Sequence, residues 1–130
     1  MSSSRTVVST DKAPAAIGPY SAGIAADALV FASGTLGIDP ASGEFAPGGI
    51  EGQTRQALRN LEQVLLAGGA SLATVVKTTV FMQDLSKFAS MNAVYAEFFP
   101  DSPPARSTVQ VAALPKEAAV EIEAIALRQP

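Results

Sequence analysis

The chain contains no cysteine and no histidine. That removes disulfides, zinc sites built on thiolate or imidazole, Ser-His-Asp triads and cysteine nucleophiles together. Proton transfer near neutral pH then falls to a tuned carboxylate, a lysine, a tyrosine or bound water. Basic side chains are few as well: nine against twelve acidic ones, for a formal net charge of -3. A nucleic-acid partner wants a basic face or stripe, and that balance weighs against one. The acids are scattered, with no Asp-x-Asp cluster and no calcium-loop spacing, so no metal site is expected. No apolar run reaches the roughly eighteen residues needed to span a bilayer. The N-terminal MSSSRTVVSTDK has no apolar stretch behind its charge, so it does not read as a secretory signal. A cytoplasmic protein without a membrane partner is the expectation.

What is present is a globular composition, 48% apolar and 16% charged, over 130 residues. That length suits one domain, residues 1–130, with a modest core. Residues 1–4 are expected to fray. Arg5–Ser9 is short and β-branched, a first strand. Asp11 to Tyr20 is rich in Pro, Ala and Gly, and Pro14 and Pro19 exclude regular mid-sheet pairing, so it reads as an extended loop. Ser21–Ala26 and Leu29–Thr35 form a hairpin about Asp27-Ala28. Its second strand runs into Ser33-Gly34-Thr35-Leu36-Gly37. A glycine there marks a turn, a bulge or a close approach to the backbone. Asp39 to Gly49 is a surface loop.

Ile50, Thr54, Ala57, Leu58, Leu61, Val64 and Leu65 recur at three-and-four spacing, which predicts a helix to Ala67 with one apolar stripe. Gly68-Gly69 supplies a left-handed stop. Leu72 to Met82 reads as a strand, in which Lys77 and Thr79 alternate with Val76, Thr78, Val80 and Met82. Lys77 is read as a solvent-reaching side chain rather than a nucleophile. Asp84 or Ser86 caps a second helix ending near Phe99, its apolar face formed by Phe88, Met91, Tyr95, Phe98 and Phe99. Asn92 falls on that same face. A buried amide needs partners, and backbone is a commoner one than ligand.

The stretch Pro103–Leu127, PPARSTVQVAALPKEAAVEIEAIAL, holds the arrangement most like chemistry. Alternation puts Arg106, Thr108 and Gln110 on one face of Ala105 to Val111. In Val120 to Leu127 it puts Glu121, Glu123, Ile125 and Leu127 together. Glu123 beside two large aliphatics would lose solvation, which raises a carboxyl toward the range useful for proton transfer. Arg106 offers a planar fork for a carboxylate. From the pattern alone, a solvated Arg106–Glu123 ion pair is the commoner outcome. Strand, hairpin, helix, strand, helix, hairpin is the order of an α+β sandwich. Two one-sided helices belong on one face of a mixed sheet, and the other face needs a cover.

The run PPARSTVQVAALPKEAAVEIEAIA resembles the signature of the RidA/YjgF family of enamine/imine deaminases. APAAIGPYSAGI at 13–24 and VVKTTVFMQDLSKFASMNAVYAEFF at 75–99 agree with the same family in order and spacing. The resemblance implies a chorismate-mutase-like fold and a homotrimer with clefts at the subunit interfaces. It implies hydrolysis of 2-iminobutanoate and 2-iminopropanoate, released by pyridoxal-phosphate dehydratases, to 2-oxo acids and ammonia, without cofactor or metal. It assigns Arg106 to the substrate carboxylate, helped by backbone at Gly34 and Thr108. Tyr20 becomes a hydrogen-bonding hydroxyl and Asn92 a secondary contact, and Glu123 is read as the base. Many relatives carry cysteine where this chain has Thr108, so any role of a thiol there is absent. Two other functions compete: a non-catalytic module that binds small carboxylates, and a ribonuclease or translation inhibitor, which the missing histidines and acidic balance disfavour.

Overall fold

The computed structural model describes residues 5–129; residues 1–4, where fraying is expected, lie outside the described residues. Six strands form one sheet: β1 (Arg5–Val8), β2 (Gly23–Ala26), β3 (Leu29–Leu36), β4 (Val75–Met82), β5 (Ala105–Gln110) and β6 (Val120–Leu127). Their spatial order is β1-β2-β3-β6-β4-β5. Only β4 and β5 run parallel, because the chain between them makes a helical crossover. The β2–β3 turn closes at Asp27, whose φ of 51° is left-handed, a conformation aspartate tolerates better than most residues.

The helix α1 (Gly49–Ala67) buries the predicted stripe, from Ile50 through Leu61 to Leu65, and adds Asn60 to it. The left-handed stop is Gly69, with φ 89°. The helix α2 (Phe88–Phe98) follows a 3₁₀ turn at Leu85–Lys87. Asp84 starts that turn by accepting a hydrogen bond from Ser86 N, at 3.0 Å. Both helices pack on one face of the sheet, against Val30, Val80, Met82, Ile122 and Ala124. Leu58, Leu61 and Leu65 are fully buried there. Each such leucine contributes about 1.5–3 kcal/mol relative to exposure.

The stretch predicted as one strand from Leu72 differs at its start. Ser71 N donates to Thr74 Oγ1 at 3.1 Å, and this local bond winds Leu72–Thr74 into a 3₁₀ turn. A bulge between Val75 and Lys77 then leaves Val76 42% exposed rather than in the predicted alternation.

Among the described residues no helix packs on the opposite face of the sheet. It carries Phe31, Phe81, Val109 and Leu127 among the polar side chains of Lys77, Thr79 and the two glutamates of β6. Phe31, Val109 and Leu127 are each at least 39% exposed. No helix among the described residues is long and apolar enough to cross a membrane.

Candidate active site

Two groups of chemically capable residues stand apart in the chain. The first is built where β3 meets β6. The ladder pairs Ala32 with Ala124 and Thr35 with Ile122, so Ser33 and Gly34 together oppose Glu123. This is a β-bulge, one of the outcomes expected of a strand-end glycine. It swings the backbone of Gly34 against the carboxyl of Glu121. A Cβ at Gly34 would overlap that carboxyl, so only glycine permits the approach.

Glu121 itself pairs across the ladder with Leu36 on one side and Phe81 on the other. These neighbours strip water from it. Burial pushes the Glu121 carboxyl above the ordinary glutamate value, and the charge of Glu123 two residues on pushes it the same way. Beside this contact lies a cavity of about 200 Å³, lined by Ile17, Tyr20, Ser33, Gly34, Leu36 and Lys116 among others. Tyr20 is 47% exposed there, and its hydroxyl accepts a hydrogen bond from Ile17 N at 3.3 Å. Ser33 Oγ donates to Ser21 O at 2.6 Å, which ties the glycine-bearing bulge back to the Tyr20 loop.

The second group lies between α2 and β5, on the helix-covered face. Arg106 is half-buried, and its guanidinium carbon sits 4.7 Å from the Tyr95 ring centroid and 5.5 Å from that of Phe88. Stacked cations of this kind are held in place without using up their N–H donors. The Tyr95 ring is fixed in turn by a 2.7 Å hydrogen bond between its hydroxyl and Thr78 Oγ1. Burial raises the Tyr95 phenol, while the Thr78 bond and the Arg106 charge oppose that rise.

Among the described residues the one ion pair joins Arg55 to Glu97, so Arg106 has no carboxylate partner. Two buried oxygens nearby also lack partners. Asn92 Oδ1 lies on the helix face that carries Phe88 and Tyr95, and Thr108 Oγ1 lies on the strand face that carries Arg106. A free guanidinium flanked by unmet polar atoms is a receptor for an anion that can also donate or accept hydrogen bonds.

The predicted meeting of Arg106 with Glu123 does not occur within the chain. Arg106 pairs with Thr78, which is buried toward the helices, whereas Glu123 pairs with Thr79 on the open face. The two side chains therefore leave the sheet in opposite directions. Glu123 is also exposed rather than dry, in an open concavity with Phe31, Lys77, Thr79 and Ile125. The desolvated carboxyl is Glu121, one pleat along the same face. Both glutamates share that face in the alternation. Only the register, which sets Leu36 and Phe81 beside Glu121, distinguishes them. The aromatic bracket around Arg106 is equally hidden in the sequence, where Phe88 and Tyr95 belong to the apolar face of the second helix. Lys77 extends across the open face to Ser107 Oγ at 3.4 Å. No cluster of three or more carboxylates is placed to hold a metal ion among the described residues.

A family model described as Endoribonuclease L-PSP matches residues 10–128. The chain is 50% identical over 126 residues to a bovine (Bos taurus) 2-iminobutanoate/2-iminopropanoate deaminase, covering 97% of this chain and 92% of that one. It is 53% identical over 122 residues to the chloroplastic Reactive Intermediate Deaminase A of Arabidopsis thaliana, covering 94% of this chain but 65% of the longer relative. Among solved structures, E. coli TdcF with bound serine superposes with a TM-score of 0.91 at 42% identity, covering 95% of this chain and 99% of that one.

Proposed function

This chain belongs to the RidA/YjgF family, and on that premise we propose how its two half-sites perform the family's reaction. The activity is that of a 2-iminobutanoate/2-iminopropanoate deaminase: imine plus water gives 2-oxo acid and ammonia. The observation that carries the site assignment is the pairing of a desolvated carboxyl, Glu121, with an unpartnered guanidinium, Arg106.

In this reading Arg106 grips the substrate carboxylate with two parallel N–H bonds. Asn92 and Thr108 use their unmet oxygens on the same ligand, and backbone at Gly34 closes over it. C2 of the imine is thereby fixed in place and orientation, a large part of what such a site supplies. Glu121, ionised, accepts a proton from water as the oxygen bonds to C2 and the C=N pair moves to nitrogen. The tetrahedral adduct then collapses. Glu121 first passes its proton to the nitrogen, then takes the hydroxyl proton as the carbonyl forms and delivers it to the departing amine as the C–N bond breaks, so both protons of the water leave in ammonia. Tyr20 hydrogen-bonds the nitrogen or the attacking water. Acid/base terms of about 10²–10⁴-fold suffice for a bond that already hydrolyses in water. Glu123 acts through its charge on Glu121 rather than on the substrate.

Arg106 stands on the edge strand β5 and on the helix face; Glu121 stands two strands away on the open face. One copy cannot close the two around one small molecule. The site is therefore completed between copies, with the Tyr20–Gly34–Glu121 half of one facing the Arg106 half of another, in the family's homotrimer. The exposed apolar residues of the open face are what such an assembly would cover. The expected working compartment is the cytoplasm. A non-catalytic carboxylate-binding module would need Arg106 but would have no use for a desolvated glutamate.

The test is a coupled assay in which a serine or threonine dehydratase generates the imine and release of 2-oxo acid is followed. Wild type should exceed buffer, Arg106→Ala should lose most of that excess, and Glu121→Gln should lose it while still binding 2-oxobutanoate. Wild type no faster than buffer would leave only the binding module.

A further inference from the structure

The contact between Gly34 and Glu121 depends on where two separate backbone stretches are held, and both are held by α1. On the β3 side, β2 stops pairing at Ala32, so the end of β3 has no strand on that flank. Asn60, only 1% exposed, takes its place: Nδ2 donates to Leu36 O at 3.0 Å and to Ile38 O at 2.8 Å. Its own Oδ1 accepts from Gln56 Nε2 at 2.9 Å, which fixes the amide's orientation. Between those two carbonyls, Gly37 lies so close to the backbone of Gln53 that a Cβ there would overlap it. On the β6 side, Gln53 Oε1 accepts from Ala119 N at 2.8 Å, one residue before the strand begins. Leu36 and Glu121 are themselves ladder partners. One helix thus grips the chain on both flanks of the bulge, through two amides that touch neither Glu121 nor the proposed ligand.

We infer that Asn60 and Gln53 are positioning residues for the reaction: together they hold β3 and β6 so that the Glu121 carboxyl is kept against Gly34 and out of water. The inference rests on the reading of Glu121 as the working base. Burying an amide as deeply as Asn60 is justified only when its bonds are made, and here its donors are spent on the two carbonyls beyond the bulge and its oxygen on Gln56. The charged groups facing Glu121 are few. Its own strand supplies Glu123; β4 sets Phe81 opposite it, with Lys77 four residues away opposite Ile125; β3 supplies none, and Lys116 of the β5–β6 loop lines the adjoining cavity. Hydration therefore dominates how readily Glu121 ionises, and hydration is what the clamp controls.

The experiment follows imine hydrolysis against pH, with the buffer rate subtracted, for wild type, Asn60→Ala, Gln53→Ala, Glu121→Gln and the core variant Leu58→Ala. Loosening the clamp lets water reach Glu121, so it ionises at lower pH and the rising acid limb moves to lower pH. Both clamp variants are expected to lower kcat about tenfold with KM changed less than about twofold, since they misplace a group rather than remove a binding contact. Leu58→Ala, on the same helix, should lower Tm without moving the limb. An unmoved limb in the clamp variants, or an equal shift in Leu58→Ala, overturns the inference. If Asn60→Ala fails to fold, Gln53→Ala carries the test, because it removes one hydrogen bond from a half-buried side chain. A Glu121→Gln protein that keeps the wild-type acid limb defeats the base assignment itself. Loss of the limb in Glu121→Gln, with no shift in the clamp variants, defeats the clamp alone.

Discussion

The β3–β6 half-site and the α2–β5 half-site solve opposite problems. At β3–β6, backbone and aliphatic side chains press on a carboxyl and make its charge harder to hold. Between α2 and β5, two aromatic rings flank a guanidinium that stays charged and keeps its donors free. The first half has reactivity without an anchor; the second has an anchor without a base. Each leaves undone what the other is equipped to do. The sheet places them on opposite faces, so under the proposed function one folded chain supplies half of each of two sites rather than the whole of one.

Mixing two inactive proteins is the strongest way to break that comparison. Arg106→Ala and Glu121→Gln should each lose nearly all activity. Co-refolded in equal amounts, they should recover about a quarter of the wild-type rate, because one junction in four then joins an intact arginine to an intact glutamate. No recovery, with mixed oligomers demonstrated, would place each site within one chain.

Gly34→Ala probes the first half alone. The added methyl must displace the Glu121 carboxyl, and a loss of about 10²-fold in kcat is expected while 2-oxobutanoate still binds. An active Gly34→Ala protein would mean that the close contact has no catalytic role. Tyr20→Phe removes one hydroxyl from the same half and should cost about tenfold or less, read as kcat/KM for the imine. A loss as large as that of Glu121→Gln would instead make Tyr20 the proton-transfer group.

Glu123→Gln has the smallest expected effect and separates the two glutamates. Removing its negative charge makes Glu121 easier to ionise, so the acid limb of the rate profile shifts to lower pH and the rate near neutrality changes less than about twofold. Collapse of activity in Glu123→Gln would return the base role to Glu123.

Much of the fold was legible because its signals are local. The α1 stripe from Ile50 to Leu65 was readable from spacing, and so were the glycine stop and the alternation in β6. The 3₁₀ turn at Leu72–Thr74 was missed because its cause is two side-chain bonds within four residues, set in a stretch whose composition favours strand. The proposed site is legible in the sequence as a set of residue types and not as an arrangement. Arg106, Tyr20, Gly34, Asn92 and Thr108 all line one half or the other, yet their division between halves depends on strand order.

From the sequence alone it followed that histidine and cysteine chemistry is excluded, which leaves a carboxylate, lysine, tyrosine or bound water, and that one strand would present two glutamates on one face. Which glutamate is dry was decided by register, through a bulge at Ser33-Gly34 and the ladder neighbours Leu36 and Phe81. Alternation is a property of each strand by itself, whereas desolvation belongs to whatever the neighbouring strands place alongside. The separation of Arg106 from Glu121 likewise appeared only once β4 was seen to lie between their strands.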